Sequence, residues 1–165
     1  MQGSSQSGYG EHWADVYDAW VAEHIPAEET EQAVRTLAAL ARGGRALELG
    51  IGTGRLALPL ADRGTPVEGI DASEAMIERL REKAGGGAIP VTHADFSDVA
   101  VKGEFALIFV AFNTFFALAS QGEQVRCFRN VAQHLSDEGV FVIEAFVLFP
   151  TRPASRMARR CAPCA

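Results

Sequence analysis

Cysteine is scarce in this chain, with 3 in 165 residues. That is too few for the disulfide framework of a small secreted domain. Cys127 falls in an expected helix. Cys161 and Cys164 form a lone C-x-x-C with no second pair to complete a zinc site, so no metal is expected. No apolar run follows a basic start and none is long enough to cross a bilayer, which leads to the expectation of a cytoplasmic protein without a signal peptide. Basic residues are outnumbered, 15 Lys and Arg against 21 Asp and Glu, for a net charge of −6. A nucleic-acid partner would want the opposite balance. No segment repeats another. What the chain has instead is apolar content, 48% of it hydrophobic, enough for one domain with a real core.

The organising stretch is ALELGIGTGRLALPLA, residues 46–61. Ala46, Leu47 and Leu49 read as a buried strand, Gly50, Gly52 and Gly54 as a tight turn, and Leu56, Ala57, Leu60 and Ala61 as a helix that stops at Gly64. Glycines let backbone approach a ligand closely, and a helix N-terminus offers unpaired N–H groups. Strand–glycine turn–helix units of this kind bind nucleotides in doubly wound α/β folds. A dinucleotide fingerprint would want a small residue where Arg55 stands, and the spacing here is G-x-G-x-G with Glu48 two residues ahead of Gly50.

With that acid and that spacing, the stretch resembles motif I of class I S-adenosylmethionine-dependent methyltransferases. The resemblance implies that Glu48, Gly50, Gly52 and Gly54 surround the methionine half of the cofactor. Pro66 to Asp71 reads as a second strand ending in an acid, seventeen residues after Gly54. At the tip of a neighbouring strand Asp71 can accept both ribose hydroxyls, with a solvated strand-end acid as the bland alternative. Ser73 suits an N-cap, with Ile77, Leu80 and Ala84 as the buried stripe of the helix it starts. Ala72 and Met76 lie where the family's pocket residues fall, and Met76 is expected near the adenine. Ile89 to Thr92 reads as a third strand, leading into His93, Ala94, Asp95 and Phe96. By resemblance Asp95 accepts from the adenine amino group and Phe96 packs on the ring; loop capping is the alternative for Asp95. His93 and His134 are expected to be structural.

Phe105 to Phe112 is apolar on both faces, as in a central parallel strand. Ala106 stands where many relatives carry an acid. Asn113 follows at the ligand edge of the sheet, as a substrate-orienting residue or as a cap for the turn. Val125, Phe128, Ala132 and Leu135 mark a further helix, and Gly139 to Phe149 a fifth strand. Before motif I, Trp13 to His24 has helical spacing and Pro26 opens a second helix with Val34, Leu37, Leu40 and Ala41 on its buried face. By resemblance such helices cover the pocket, making Tyr9, His12, Trp13 and Tyr17 candidate lining residues, with packing onto the core as the alternative for Trp13 and Tyr17.

The expected fold is a doubly wound, Rossmann-like α/β sandwich with parallel strand order 3-2-1-4-5, lacking strands 6 and 7. Residues 1–149 form the cofactor domain, 1–44 being a helical cap and 45–149 the core. Residues 150–165, with four arginines and no acid, form an irregular basic tail. Truncation or an out-of-frame end is preferred over a partner-binding tail, because the pattern stops after the fifth strand. Its unpaired edge is expected to promote self-association. The resemblance implies methyl transfer from S-adenosyl-L-methionine to a small-molecule acceptor by in-line displacement, leaving S-adenosyl-L-homocysteine. Tyr17 and Asn113 are the catalytic candidates, and the lack of a convincing base leans toward an amine or an already deprotonated acceptor. The alternative is a catalytically impaired or non-catalytic cofactor-binding protein. Arg55 and Glu48 disfavour a nicotinamide oxidoreductase.

Overall fold

Four consecutive buried residues make β1 (Ala46–Leu49) the middle of the molecule. Alternate side chains of a strand point to opposite faces, so such a run needs cover above and below. The computed structural model describes residues 13–146. It shows one five-stranded sheet, all parallel, in the order β3-β2-β1-β4-β5. The other strands are β2 (Val67–Asp71), β3 (Val91–His93), β4 (Phe105–Val110) and β5 (Leu135–Ile143). The expected order is the observed one.

Each face of the sheet carries its own core. On one face Ala46 of β1 and Leu107 and Phe109 of β4 meet helix α2 (Ala27–Ala41) through Val34 and Leu37, and helix α3 (Ala57–Asp62) through Leu60. On the other, Leu47, Leu49, Ile108 and Val110 meet helix α5 (Gln121–His134) through Cys127 and Val131. Between β2 and β3, helix α4 (Glu74–Glu82) starts at Ser73, whose hydroxyl accepts from the Met76 N–H as the N-cap reading expected. Ile77 and Leu80 are buried, but the helix stops before Ala84, which is exposed.

Three expectations need correction. Helix α1 (Tyr17–His24) has no buried residue at all, and residues 14–16 ahead of it form turns. Its apolar spacing serves the cavity described below, not the core. In α5 the buried stripe is Cys127 and Val131, while Val125 and Phe128 are 41% and 47% exposed and Ala132 is also exposed. Two adjacent apolar stripes lie on this helix, and only the position of the sheet selects between them. The fifth strand runs Leu135–Ile143 rather than 139–149. Phe105 pairs with Leu135 and Leu107 with Val140, so five residues of β5 pass two of β4 at an irregularity around Gly139. Glu144 to Phe146 leave the ladder, and Val147 to Phe149 lie outside the described residues, as do Tyr9, His12 and the basic tail. Smaller shifts affect β3, which starts at Val91, and β4, which ends at Val110.

Phe109 sits at the centre of this packing with 1% exposure. Phe109→Ala is expected to destabilise the fold by about 3–5 kcal/mol, read as a lower urea midpoint with an unchanged m-value. A midpoint that does not move would mean the β4 core is not packed as described.

Candidate cofactor and acceptor site

The tips of β1 and β2 are tied by one side chain. Asp71 accepts from the Gly52 N–H through Oδ2 at 2.7 Å and from the Ser73 N–H through Oδ1 at 2.9 Å. Burial raises its pKa from the ordinary value, opposed by backbone N–H bonds from Ser73, Gly52 and Ala72 that favour the ionised form. A carboxylate has about four lone-pair sites, so with three backbone N–H groups on it there is still room for a ligand hydroxyl.

The glycines of the turn differ in what they do. Gly52 has φ +55°, and a Cβ there would meet nothing within 4 Å, because it would point into open space. A Cβ on Gly54 would fall 2.4 Å from Leu80 Cδ1, so this glycine lets the turn pack on α4. Gly50 faces Thr114 in the same close manner, at 2.4 Å from its Cγ2.

Over these tips lies a cavity of about 650 Å³. Gly50, Gly52, Asp71, Ala72, Met76 and Phe96 form one end of it. Trp13, Tyr17, Trp20, Phe112, Asn113 and Thr114 also line it, bringing the aromatic residues that precede the core to the β4 tip. Trp20 sits edge-on to Phe112, ring centroids 5.8 Å apart.

Backbone strain puts Phe112 there. Phe112 and Asn113 both lie in the left-handed region, at φ 55° and 61°, a conformation that costs a non-glycine residue about 1–2 kcal/mol. Two side chains hold it. Glu144 Oε2 accepts from the Phe112 N–H at 2.9 Å, and Asn113 Oδ1 accepts from the Phe146 N–H at 2.6 Å. Of the two readings of Asn113, its side-chain carbonyl thus takes the turn-holding one, while the residue still lines the cavity.

Glu48 and Asp95 stand elsewhere than the cavity wall. Glu48 is 4% exposed behind the turn, accepts from the Ala57 N–H, and has an Oε2 without a hydrogen-bond partner among the described residues. Burial pushes its carboxyl up to about 8, with the Arg55 charge opposing. Asp95 Oδ1 accepts from the Ser97 N–H at 2.7 Å and caps the short helical turn that places Phe96 in the wall. His93 bridges the Ala72 carbonyl and Glu74, and His134 the Asn130 and Val101 carbonyls, both structural.

Arg55 has a larger part than its motif position indicated. Its guanidinium is 3.9 Å from Glu144 Oε2, 5.4 Å from the Phe112 ring centroid and 3.5 Å from Thr30 Oγ1. It also hydrogen-bonds Tyr17, whose phenol is raised from its ordinary value by burial with Arg55 pulling the other way. One side chain thus joins α1, α2, the β4 tip and the end of β5. Sequence reasoning missed Trp20 and Phe112 as wall residues as well. Trp20 follows Tyr17 by three positions and Trp13 by seven, the spacing of one helix face, and that was the available signal.

Comparison with known proteins agrees with this geometry. The methyltransferase domain family matches residues 46–139, more than half of the chain and all of it core. The chain belongs to that family. It is a class I S-adenosyl-L-methionine-dependent methyltransferase domain. It is 38% identical to the CcbJ methyltransferase from Streptomyces caelestis, with a TM-score of 0.75 over 82% of this chain and 56% of that one. The sugar N-methyltransferase KedS8 from Streptoalloteichus sp ATCC 53650 is 27% identical, with a TM-score of 0.64 over 78% of this chain and 52% of that one. A cypemycin N-terminal methyltransferase of Streptomyces sp is 29% identical over 126 residues, 76% of this chain and 46% of the relative. The methyltransferase chain spans about half the length of the curated relatives it matches. No helix among the described residues is long and apolar enough to cross a membrane.

The residues present fit the family's cofactor. Asp71 keeps room for a ligand hydroxyl, Gly52 opens directly to the cavity, and Glu48 has a buried oxygen without a partner among the described residues. Glu48 also gives a pH test. Its folded pKa is about 8 against an ordinary 4.5, so between these values the unfolded chain releases a proton that the folded chain keeps. Stability is therefore lost as pH rises through this window. Glu48→Gln, which keeps the acceptor for Ala57, is expected to flatten that decline in urea titrations. Identical pH profiles for the two proteins would show that Glu48 is not held protonated.

Proposed function

We infer that this domain takes part in transferring a methyl group from S-adenosyl-L-methionine to an amine nitrogen of a small-molecule acceptor. The carrying observation is the make-up of the cavity beyond the glycine turn. Its walls there are aromatic, and among the lining residues the one carboxylate is Asp71, at the other end. A hydroxyl acceptor would need a base to remove its proton, whereas a neutral amine presents a lone pair. Two of the relatives named above carry N-methylation or an N-terminus in their names, which supports the same reading.

When bound, the cofactor supplies a methyl group already activated on a sulfonium. The work of this chain is then binding and alignment. Asp71 would hold the ribose, Met76 and Phe96 would flank the adenine, and the Gly52 turn would admit the methionine half. Glu48, and Asp95 as an adenine contact, would act from behind the wall, so they are the weaker assignments. Trp13, Trp20 and Phe112 exclude water and offer ring faces that favour positive charge on an acceptor nitrogen. Tyr17, whose phenol pKa is raised above its ordinary value by burial, would orient the acceptor by a hydrogen bond.

Asp71→Ala is expected to weaken cofactor binding by about 2–4 kcal/mol, the loss of two hydrogen bonds to a charged acceptor, measured by calorimetry with S-adenosyl-L-homocysteine. A change under about threefold in Kd would remove Asp71 from the ribose site. Turnover on a panel of amino sugars, peptide N-termini and hydroxyl analogues tests the acceptor class. Methylation of hydroxyls alone would overturn the amine reading, and binding without any turnover would favour a non-catalytic cofactor-binding domain. The outer edge of β5, which pairs only with β4 among the described residues, is part of the same reading as a surface for self-association. Sedimentation is expected to depend on concentration and to become monomeric in Val142→Lys. A wild-type monomer at every concentration would end that part.

A further inference from the structure

Helix α1 covers the cavity, yet it is not part of either hydrophobic core. No residue of the helix is buried, and Trp13, Tyr17 and Trp20 belong to neither core cluster. Its firmest polar attachment is at Asp18. Asp18 Oδ1 accepts from the Thr53 hydroxyl at 2.6 Å, and Oδ2 lies 2.7 Å from Lys83 Nζ. The same Lys83 ammonium donates to the Thr53 carbonyl at 2.8 Å, closing a three-sided junction. Nearby, Asp15 pairs with Arg79 of α4.

The places these residues occupy matter more than their number. Thr53 lies between Gly52 and Gly54 in the cofactor turn and is fully buried. Lys83 caps the end of α4, the helix that carries Met76. Asp18 is next to Tyr17. The junction therefore joins three of the segments around the cavity: the aromatic roof, the glycine turn and α4. A partly exposed ion pair is weak and screened by salt. A buried hydroxyl that loses its acceptor resists the change. Together they describe an attachment that holds the roof but releases it often, as a cofactor exchanged at every turnover requires.

We propose that Asp18 is a positioning residue which, through Thr53 and Lys83, fastens the aromatic roof to the cofactor turn and sets the rate at which S-adenosyl-L-methionine and its product leave. This rests on the cofactor reading above. Asp18 is not among the residues that line the cavity; it acts by placing Tyr17 and the two tryptophans.

The experiment uses two readouts on the 165-residue chain. Stopped-flow release of S-adenosyl-L-homocysteine measures exchange. Acrylamide quenching of intrinsic fluorescence measures the roof alone, because the chain's 2 tryptophans, Trp13 and Trp20, both line the cavity from it. Asp18→Ala and Lys83→Met are each expected to speed release about tenfold and to raise quenching, with the urea midpoint of the core unchanged. The double variant should be no faster than the faster single one, since both break the same junction. Lys83→Arg should restore slow release. Raising salt to about 0.5 M should speed release from the wild type but not from Asp18→Ala. Should Asp18→Ala fail to fold, Lys83→Met and the salt series still decide. Release and quenching unaltered in Lys83→Met would overturn the proposal. If the wild type bound no S-adenosyl-L-homocysteine, the cofactor reading would fall, while quenching would still show whether Asp18 fastens the roof.

Discussion

One carboxylate at the crest of the sheet, that of Asp71, sets the geometry on which the rest depends. Parallel strands end side by side with their C-terminal tips unpaired, and something must fix how the chain leaves them. Here the Gly52 N–H reaches across from the β1 turn to Asp71 at the end of β2. That bond fixes the glycine turn against the second strand and leaves the turn facing the cavity. Burial raises the acid's pKa, and the surrounding N–H groups are what make an ionised form tolerable there.

The other half of the site is built from strain and from a shared cation. Phe112 and Asn113 adopt left-handed conformations at the tip of β4, held from beyond β5 by the Glu144 carboxylate, which accepts from Phe112, and by the Phe146 N–H, which donates to the Asn113 side chain. Arg55 lies between Glu144, Phe112 and Thr30, so a residue of the cofactor motif also supports the far wall. The glycine turn and the aromatic end are therefore linked through one side chain. That guanidinium is only 13% exposed.

The N-terminal helix obeys a different rule from the core. Core helices such as α2 bury Val34, Leu37 and Ala41 and gain stability from that burial. Helix α1 has no fully buried residue and presents its rings to the cavity instead. Elements of that kind lie at the low-stability end of a fold, where opening is easy. The same pattern that makes it a poor structural helix makes it a suitable roof.

The sequence by itself determined the class of fold, the strand order, the glycine turn with Asp71, and the family. Those features are local: a buried apolar run, glycines where backbone must come close, and an acid at a strand tip are written in adjacent residues. Ala72, Met76 and Phe96, which the sequence singles out, line the cavity. Only the tertiary structure decided that Glu48 sits behind the wall, because the face of a four-residue strand fully buried on both sides carries no polar signal. It alone chose Cys127 and Val131 over the neighbouring stripe of α5, since that choice depends on where the sheet lies. And it alone brought Asp18, Thr53 and Lys83 together from 18, 53 and 83, contacts whose partners are too far apart in the chain for any spacing rule to pair.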